Sequence, residues 1–232
     1  MPKGVMMDKQ TLVIFAKRPQ VGHGKQRLAA DIGPVPAFEI AQEMFQCALD
    51  DAKEWQKHGP VVLAVESTHD INWAMQLGFE FHLIIPQIGE NLGHRINFID
   101  HSLRHVGHKQ IFYIGTDAPT LDTEFFDKAR QMLNDNDFVF GPAEDGGVTL
   151  MAGKHSWPKL DLLDWSTDKV SDQLQAVCKG NNYSIGMLPV TYDVDVLADL
   201  EKLVRDLAND HRPNRKKLHD LVEAELDTLE FY

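Results

Sequence analysis

The sequence predicts a single α/β domain, a three-layer sandwich in which helices cover both faces of a mixed but mostly parallel sheet. Short apolar runs alternate along the chain with segments of helical periodicity, which is the pattern of parallel strands joined by crossover helices. The chain has 232 residues, of which 43% are hydrophobic, enough for one sizeable core. No stretch rich in glycine, proline or serine marks a boundary between two domains.

Five short apolar runs are predicted to be strands of this sheet. Polar or turn-forming residues bound each run, as expected of buried strands. The runs span residues 12–15, 61–65, 81–85, 111–114 and 138–140. Two later runs, 148–151 and 187–191, are candidates for further strands, with antiparallel pairing as one alternative.

Segments of helical periodicity separate these runs. Apolar residues recur at helical spacing over 37–52, and Gly59-Pro60 ends that pattern. Further helices are predicted over 71–77, 92–105 and 123–133. A charged segment of helical period follows from residue 196, with a break at 211–214. We therefore predict a main domain over 9–200 and a helical appendage over 201–232.

Charge and cysteine content narrow the class of protein. A formal net charge of −12 argues against a general nucleic-acid or membrane-surface binder, which would present a basic field. Cys47 and Cys178 have no metal-ligand spacing and cannot form a disulfide scaffold. Residues 1–8 lack the apolar core of a signal peptide, and no run of about 18 apolar residues occurs. We expect a soluble, cytoplasmic protein.

A basic loop directly follows the first predicted strand. Residues 16–28 hold four cations and two glycines in one strand-to-helix turn, a composition that suits an anion. Pro19 and Gln26 exclude a Walker A motif, and Arg27 excludes the dinucleotide fingerprint. The loop is predicted to bind phosphate, the alternative being a solvated turn with spare cations.

Carboxylates follow two of the predicted strands. Asp117 comes just after the strand 111–114, and Asp145 comes just after the strand 138–140. In open α/β sheets, ligands bind beyond the carboxyl ends of the strands. We therefore expect Asp117 and Asp145 to border one ligand site.

A third acidic segment contains Asp193 and Asp195, which could share one face of an extended chain. Either residue could instead only cap a helix. If Asp117 and Asp195 converge to about 4 Å, their charges repel by roughly 4 kcal/mol at an effective dielectric of 20. A cation would remove that repulsion, and all-oxygen ligands favour Mg²⁺ or Mn²⁺. Such a site beside a phosphate-binding loop indicates a nucleoside-diphosphate substrate.

Five motifs give the chain a family resemblance from Phe15 to about Leu200. The sequence resembles the bacterial glycosyltransferase-like proteins of the domain-of-unknown-function 2064 (DUF2064) family, within the nucleotide-diphospho-sugar transferase (GT-A) fold. The motifs are Phe-Ala-Lys-x-Pro-x-x-Gly-x-x-Lys-x-Arg-Leu over 15–28, Gly-x-Asp-x-Pro-Thr-Leu over 115–121, Gly-Pro-Ala-x-Asp-Gly-Gly over 141–147, Trp-Ser-Thr over 165–167 and Asp-Val-Asp over 193–195.

The resemblance implies a role for each matching position. Asp117 and Asp145 would be catalytic, and Asp117 would hold the metal together with Asp195. The nucleotide would contact the basic loop at Ala16, Lys17, Pro19, Gly22, Lys25 and Arg27. The sugar or acceptor would lie beside Asn91, Gly93, Arg95, Gly146, Gly147 and Trp165.

Four positions depart from the family pattern. Gln26 stands where the family has Thr, Asn91 and His94 replace two acids, and Val148 replaces a Tyr. These changes leave a diverged, non-catalytic nucleotide-binding module as one alternative.

The leading hypothesis is a divalent-metal-dependent glycosyltransferase that moves a sugar from a nucleoside-diphosphate sugar to a small-molecule acceptor. The alternative enzyme is a nucleotidyltransferase that joins a nucleoside triphosphate to a phosphorylated small molecule and releases pyrophosphate. No nucleic-acid or membrane partner is expected. The oligomeric state stays open, with a homodimer among the alternatives.

Overall fold

A seven-stranded mixed sheet forms the centre of the computed structural model, which describes residues 10–230. The ends of the chain, including the segment 1–8 considered for a signal peptide, the first residue of the predicted main domain and the last two of the appendage, lie outside the described residues. The strands are β1 (Gln10–Ala16), β2 (Val61–Val65), β3 (Leu83–Pro86), β4 (Gln110–Ile114), β5 (Phe138–Pro142), β6 (Val148–Gly153) and β7 (Ile185–Met187).

The sheet has the order β3-β2-β1-β4-β6-β5-β7. Only β6 runs antiparallel to its neighbours β4 and β5, and the other pairs within residues 10–230 are parallel. The carboxyl ends of β1, β2, β3 and β4 therefore lie along one rim. The predicted mostly parallel mixed sheet is confirmed.

Eight α-helices occur within residues 10–230, together with one 3₁₀ turn at Thr68–Asp70. None of them combines the length and the apolar character needed to cross a bilayer. Asn91 and Asp122 cap two of the helices by accepting hydrogen bonds from the amides of His94 and Phe125. The helices are α1 (Gln26–Ile32), α2 (Pro34–Trp55), α3 (Ile71–Met75), α4 (Leu92–His105), α5 (Thr123–Asp135), α6 (Val170–Gly180), α7 (Leu197–Leu207) and α8 (Pro213–Glu230).

Helices cover both faces of the sheet, which gives the predicted three layers. On one face, α2 and α5 bury large side chains such as Trp55 and Leu133 against the strands. On the other face, α4 and α6 contribute side chains such as Ile99 and Leu174. Because central strands such as β2 and β4 bury both of their faces, they read as continuous apolar runs in the sequence.

A further helical cluster lies against the first of these layers. It joins α1, α2, α7 and α8 through apolar side chains that include Ile40, Leu203 and Leu218, all fully buried. The C-terminal helix α8 packs on α2 and shares this core.

Two predicted strands differ in position from the observed ones. The strand expected over 81–85 is Leu83–Pro86, because the Phe81 ring instead packs on Phe79 with 4.5 Å between centroids. The run 187–191 shares only Met187 with β7, which pairs parallel to β5, so antiparallel pairing is correct for β6 and wrong for β7. Pro189 has no amide hydrogen and ends the regular pairing.

Arg215 is a fully buried cation that connects α8 to the rest of the fold. Its guanidinium donates to both carboxylate oxygens of Asp51 on α2, at 2.7 and 2.6 Å. It also donates to the carbonyls of Cys47, Pro119 and Leu121. Residues 119 and 121 belong to the segment after β4 that carries the predicted ligand-site carboxylate, so α8 helps to position that segment.

We expect Arg215→Ala to lower the free energy of unfolding by about 3–5 kcal/mol, because the buried Asp51 would lose its bidentate partner and keep only Arg212, whose Nη1 lies 3.5 Å away. Urea unfolding at neutral pH measures the change. The control is Lys216→Ala, which removes an exposed pair with Asp220 and should cost no more than about 0.5 kcal/mol. A loss below about 1 kcal/mol for Arg215→Ala would contradict the structural role of this residue.

Candidate functional site

A cavity of about 420 Å³ opens at the carboxyl ends of β1 and β4. This volume is in the range of small-molecule sites. The loop after β1, the segment after β4, the segment before α7 and the stretch before α6 all contribute to its lining. Of the predicted site residues, those that line it are Lys17, Pro19, Lys25, Asp117, Trp165 and Asp195.

The basic loop after β1 has a folded backbone of its own. Gly22 and Gly24 have φ angles of +79° and +75°, and Lys25 has a φ of +46° just before α1. The side-chain amide of Gln26 donates to the carbonyls of Gly22 and Gly24 at 2.9 and 3.3 Å. Gln26 therefore supports the loop shape, and Gly22 belongs to the turn without lining the cavity.

Lys25 joins three segments that are far apart in sequence. Its ammonium group donates to the carbonyl of Val194 at 2.5 Å and to Asp117 Oδ2 at 3.2 Å. The Val194 amide in turn donates to the Asp117 carbonyl at 2.8 Å. The left-handed backbone at a lysine costs about 1–3 kcal/mol, and strain of this kind is concentrated at functional sites. We call this arrangement the Lys25 junction.

Other cations of the basic loop pair with carboxylates at the same rim. Arg27 Nη1 lies 3.0 Å from Asp195 Oδ2, in a pair whose side chains are 72% and 38% exposed. Lys17 and His23 both approach Glu66, at the end of β2, at 3.8 and 2.8 Å. Exposed pairs of this kind stabilise the fold very little, so these cations can exchange partners at small cost.

Asp193 belongs to a group of like charges. Burial first, and then the charges of Asp117 and Asp145, raise the pKa of Asp193 from 3.8 to about 6. Asp193 lines the cavity, whereas the helix-cap role is filled by Asp199, which accepts from the amides of Asp195 and Val196. Asp193 was not among the predicted site residues, although its alternation with Asp195 indicated that the two side chains could share one face.

The carboxylates suit a metal only in combination with other ligands. Within residues 10–230, no three His, Cys, Asp or Glu side chains form a ready cage for an ion. Asp117 and Asp195 both line the cavity, but Lys25 and Arg27 are their present partners. Mg²⁺ is commonly held by one or two carboxylates plus waters and substrate phosphates. The donor set fits that pattern, and the metal remains a prediction.

The start of α4 supports the cavity wall without lining it at the positions predicted for the acceptor. The side-chain amide of Asn91 donates to the Asp161 carbonyl at 2.8 Å, and Arg95 Nε donates to the Gly89 carbonyl at 3.2 Å. A Cβ at Gly93 would lie 2.0 Å from the Leu160 carbonyl oxygen, so only glycine allows this close approach.

The turn between β5 and β6 also lies outside the cavity lining. Asp145 Oδ1 accepts from the Gly147 amide at 2.8 Å. Gly146 has a φ of +85°, and a Cβ there would meet the Asp168 carbonyl oxygen at 2.0 Å. The turn therefore packs against the stretch before α6, and Asp145 acts on the site through its charge on Asp193.

Comparison with known proteins identifies the family of this chain. Residues 50–167, about half of the chain, match the profile of a family described as an uncharacterized protein conserved in bacteria, DUF2064. The chain belongs to the DUF2064 family. Comparison with curated proteins gives no match.

Solved structures share the fold of this DUF2064 protein. A candidate nucleotide-diphospho-sugar transferase from Desulfovibrio desulfuricans G20 matches with a TM-score of 0.85 and 24% identity, over 97% of this chain and 99% of that one. The 4-diphosphocytidyl-2C-methyl-D-erythritol synthase of Anaerococcus prevotii matches with a TM-score of 0.56 and 10% identity, over 93% and 99%. A CMP:2-keto-3-deoxy-manno-octonic acid synthetase complexed with CTP matches at 0.55 and 13%, over 87% and 99%. The expected nucleotide-diphospho-sugar transferase fold is confirmed.

The cavity of the DUF2064 protein also has an apolar wall, of which only Trp165 was among the predicted site residues. Apolar strand residues give the same sequence signal whether they face a helix or a cavity, so the pattern could not separate the two. The wall consists of Phe15, Leu92, Ile96, Tyr113, Val148, Met151 and Trp165.

We expect Asp193→Asn to stabilise the DUF2064 protein at pH 7.5, without added metal, by about 1–2 kcal/mol after allowance for solvent screening. A raised carboxyl pKa favours folding below pH 3.8, and this contribution is lost as the pH rises through about 6. The advantage of the variant over the wild type should therefore shrink when urea unfolding is repeated at pH 4.5.

Asp172→Asn is the matched control, because Asp172 is exposed on α6 and remote from the cavity lining. Its effect relative to the wild type should be similar at both pH values. An Asp193→Asn variant less stable than the wild type at pH 7.5 would show that the charge of Asp193 is compensated in the protein.

Proposed function

We propose that this DUF2064 protein is a divalent-metal-dependent glycosyltransferase that uses a nucleoside-diphosphate sugar. The Lys25 junction is the observation that carries the proposal, because it brings the basic loop and the carboxylates into one cavity, with Lys25 Nζ 3.2 Å from Asp117 Oδ2. A nucleotide-diphosphate sugar would need this combination: cations for its phosphates and oxygen ligands for a divalent ion that would help to balance their charge.

The charges of the cavity support an ion that enters with the substrate. Three cations and three carboxylates line it, so their formal charges cancel when His23 is neutral. An added diphosphate would leave a net negative charge, which a divalent cation would balance. The lining residues concerned are Lys17, Arg18 and Lys25 on one side and Asp117, Asp193 and Asp195 on the other.

Each charged residue then has a definite task. Lys25 and Arg27 would release their carboxylate partners and bind the diphosphate, while Asp117 and Asp195 would hold Mg²⁺ or Mn²⁺. When bound, the ion supplies electrostatic stabilisation of the departing diphosphate. Lys25 adds to this stabilisation because its position is already fixed by Val194.

The proposed reaction transfers the sugar from the diphosphate to a hydroxyl group of the acceptor. The acceptor hydroxyl oxygen forms a bond to the anomeric carbon of the sugar. The bond from that carbon to the diphosphate oxygen breaks, and its electron pair leaves with the nucleoside diphosphate. The hydroxyl proton passes to Asp193, the carboxylate of the cavity lining that is not assigned to the metal, while Asp145 acts through its charge on Asp193.

A nucleotidyltransferase is the second candidate, and the similarity to a synthetase complexed with CTP favours it. In that reaction the same cations would bind a triphosphate, and the product would be pyrophosphate. Because folds of this kind host more than one reaction, the products distinguish the two candidates.

We expect the wild-type protein with Mn²⁺ to release a nucleoside diphosphate from at least one member of a nucleotide-sugar panel. Under the same conditions it should release no pyrophosphate from nucleoside triphosphates. Chromatography of the nucleotides measures both reactions. Pyrophosphate release would show that the protein is a nucleotidyltransferase instead. Nucleotide binding without turnover of either substrate would indicate a non-catalytic module.

In calorimetric titrations with and without Mn²⁺, Asp117→Asn should remove the dependence of nucleotide binding on Mn²⁺ and keep the fold, because it relieves repulsion with Asp193. Asp135→Asn, at the exposed end of α5, is the control and should bind like the wild type. Unchanged Mn²⁺-dependent affinity in Asp117→Asn would remove the metal from the proposal.

Lys25→Met should weaken the best-bound nucleoside diphosphate about 10- to 100-fold and leave the matching nucleoside within about twofold, because a charge-assisted contact to phosphate is lost. Calorimetric titration gives both affinities. Lys57→Met removes an exposed lysine that pairs with Glu54 outside the cavity and should change neither. Equal losses for nucleotide and nucleoside would show that Lys25 does not contact phosphate.

A further inference from the structure

The apolar wall forms one continuous surface on the α4 side of the sheet. Six of its seven residues, all except Leu92, belong to the same packed cluster. The rings of Phe15 and Tyr113 lie 6.2 Å apart between centroids, and these residues come from the neighbouring strands β1 and β4. The wall is therefore part of the rigid sheet and its covering helix, whereas the charged residues of the cavity come from loops at the strand ends.

The polar atoms within the wall already have partners in the protein. The Tyr113 hydroxyl donates to Asp100 at 2.6 Å, and Trp165 Nε1 donates to the Leu160 carbonyl at 2.8 Å. The other five wall side chains have no hydrogen-bonding group. Among the described residues, the side chains of the wall therefore provide apolar contact to a ligand, without a free hydrogen-bond donor or acceptor.

Contacts within the protein fix the wall in place and leave part of its surface exposed. Trp165 is fixed by its bond to Leu160, and the close approach of Gly93 leaves no space for the segment to shift toward α4. Phe15, Val148 and Trp165 remain only half-buried, and Leu92 is 41% exposed. Covering such surface with an apolar group is favourable by about 25 cal/mol per Å².

We propose that the acceptor of this transferase carries an aromatic or alkyl group that packs on the apolar wall and presents its hydroxyl to the charged residues of the cavity. This inference rests on the proposed function and names the class of acceptor. A sugar or a nucleobase has hydrogen-bonding groups along its edges, and burying them against this wall would leave them unpaired, which disfavours binding. An apolar alcohol has no such cost.

The chemistry is that of the proposed transfer, with an apolar alcohol as the nucleophile. Its hydroxyl oxygen bonds to the anomeric carbon, the nucleoside diphosphate leaves with the electron pair of the broken bond, and Asp193 of the cavity lining receives the proton. The product is a glycoside with an apolar aglycone.

Benzyl alcohol is the probe for the wall, and glucose is its polar counterpart. Saturation-transfer NMR with the full chain measures binding of each, first alone and then with Mg²⁺ and a nucleoside diphosphate. We expect benzyl alcohol to bind, glucose to show no binding, and the nucleotide to leave the benzyl alcohol signal in place. In the turnover assay, benzyl alcohol should raise nucleoside diphosphate release several-fold over hydrolysis, and glucose should not.

Two variants and one control test whether benzyl alcohol binds at the apolar wall. Trp165→Ala should weaken benzyl alcohol about tenfold, as loss of an aromatic contact does. Leu92→Asn places a polar group at an exposed wall position on the first turn of α4, so it tests the wall even if the tryptophan variant unfolds. Leu162→Asn changes a leucine that is 84% exposed and outside the cavity lining, and should bind like the wild type.

The possible results distinguish a failure of the apolar-acceptor inference from a failure of the proposed function. Glucose binding as well as benzyl alcohol, competition of uridine or cytidine with benzyl alcohol, or unchanged binding in Leu92→Asn would each overturn the apolar acceptor while leaving nucleotide-sugar turnover intact. Benzyl alcohol binding that depends on the wall, together with no nucleotide binding at all, would instead overturn the proposed function.

Discussion

The site depends on the position of one ammonium group. Lys25, whose backbone is left-handed just before α1, donates to the Val194 carbonyl and to the Asp117 carboxylate. Through these bonds the loop after β1, the segment after β4 and the segment before α7 meet at one point. A hydrogen bond to a fixed carbonyl holds a cation in place without neutralising it, so the charge of Lys25 remains available to an anion.

The rest of the fold holds the carboxylate side of this point. The parallel pairing of β1 with β4 sets the two strand ends side by side. Beyond β4, Arg215 binds the carbonyls of Pro119 and Leu121 and connects them to Asp51 on α2. The segment that carries Asp117 is thus fixed by the sheet at one end and by a buried cation from α8 at the other. Preorganisation of this kind is what electrostatic binding and catalysis require.

The sequence allowed a correct prediction of the mostly parallel sheet, because buried strands have strong local patterns. It located the strand near residue 187 incorrectly, since the pairing there depends on the missing amide hydrogen of Pro189. It also did not separate residues that line the cavity from residues that support its wall. Gly93 and Gln26 act through contacts with Leu160 and Gly22, and such contacts exist only once the chain has folded.

The two outer strands of the sheet have a consequence for assembly. β3 has four residues and β7 has three, and a proline follows β7 two residues later. Short edges interrupted by proline give a second polypeptide few backbone groups to pair with, which is a common protection against sheet extension between molecules. Two copies of this chain that associate would therefore meet through side chains of helices or loops, and the sheet would end within each subunit.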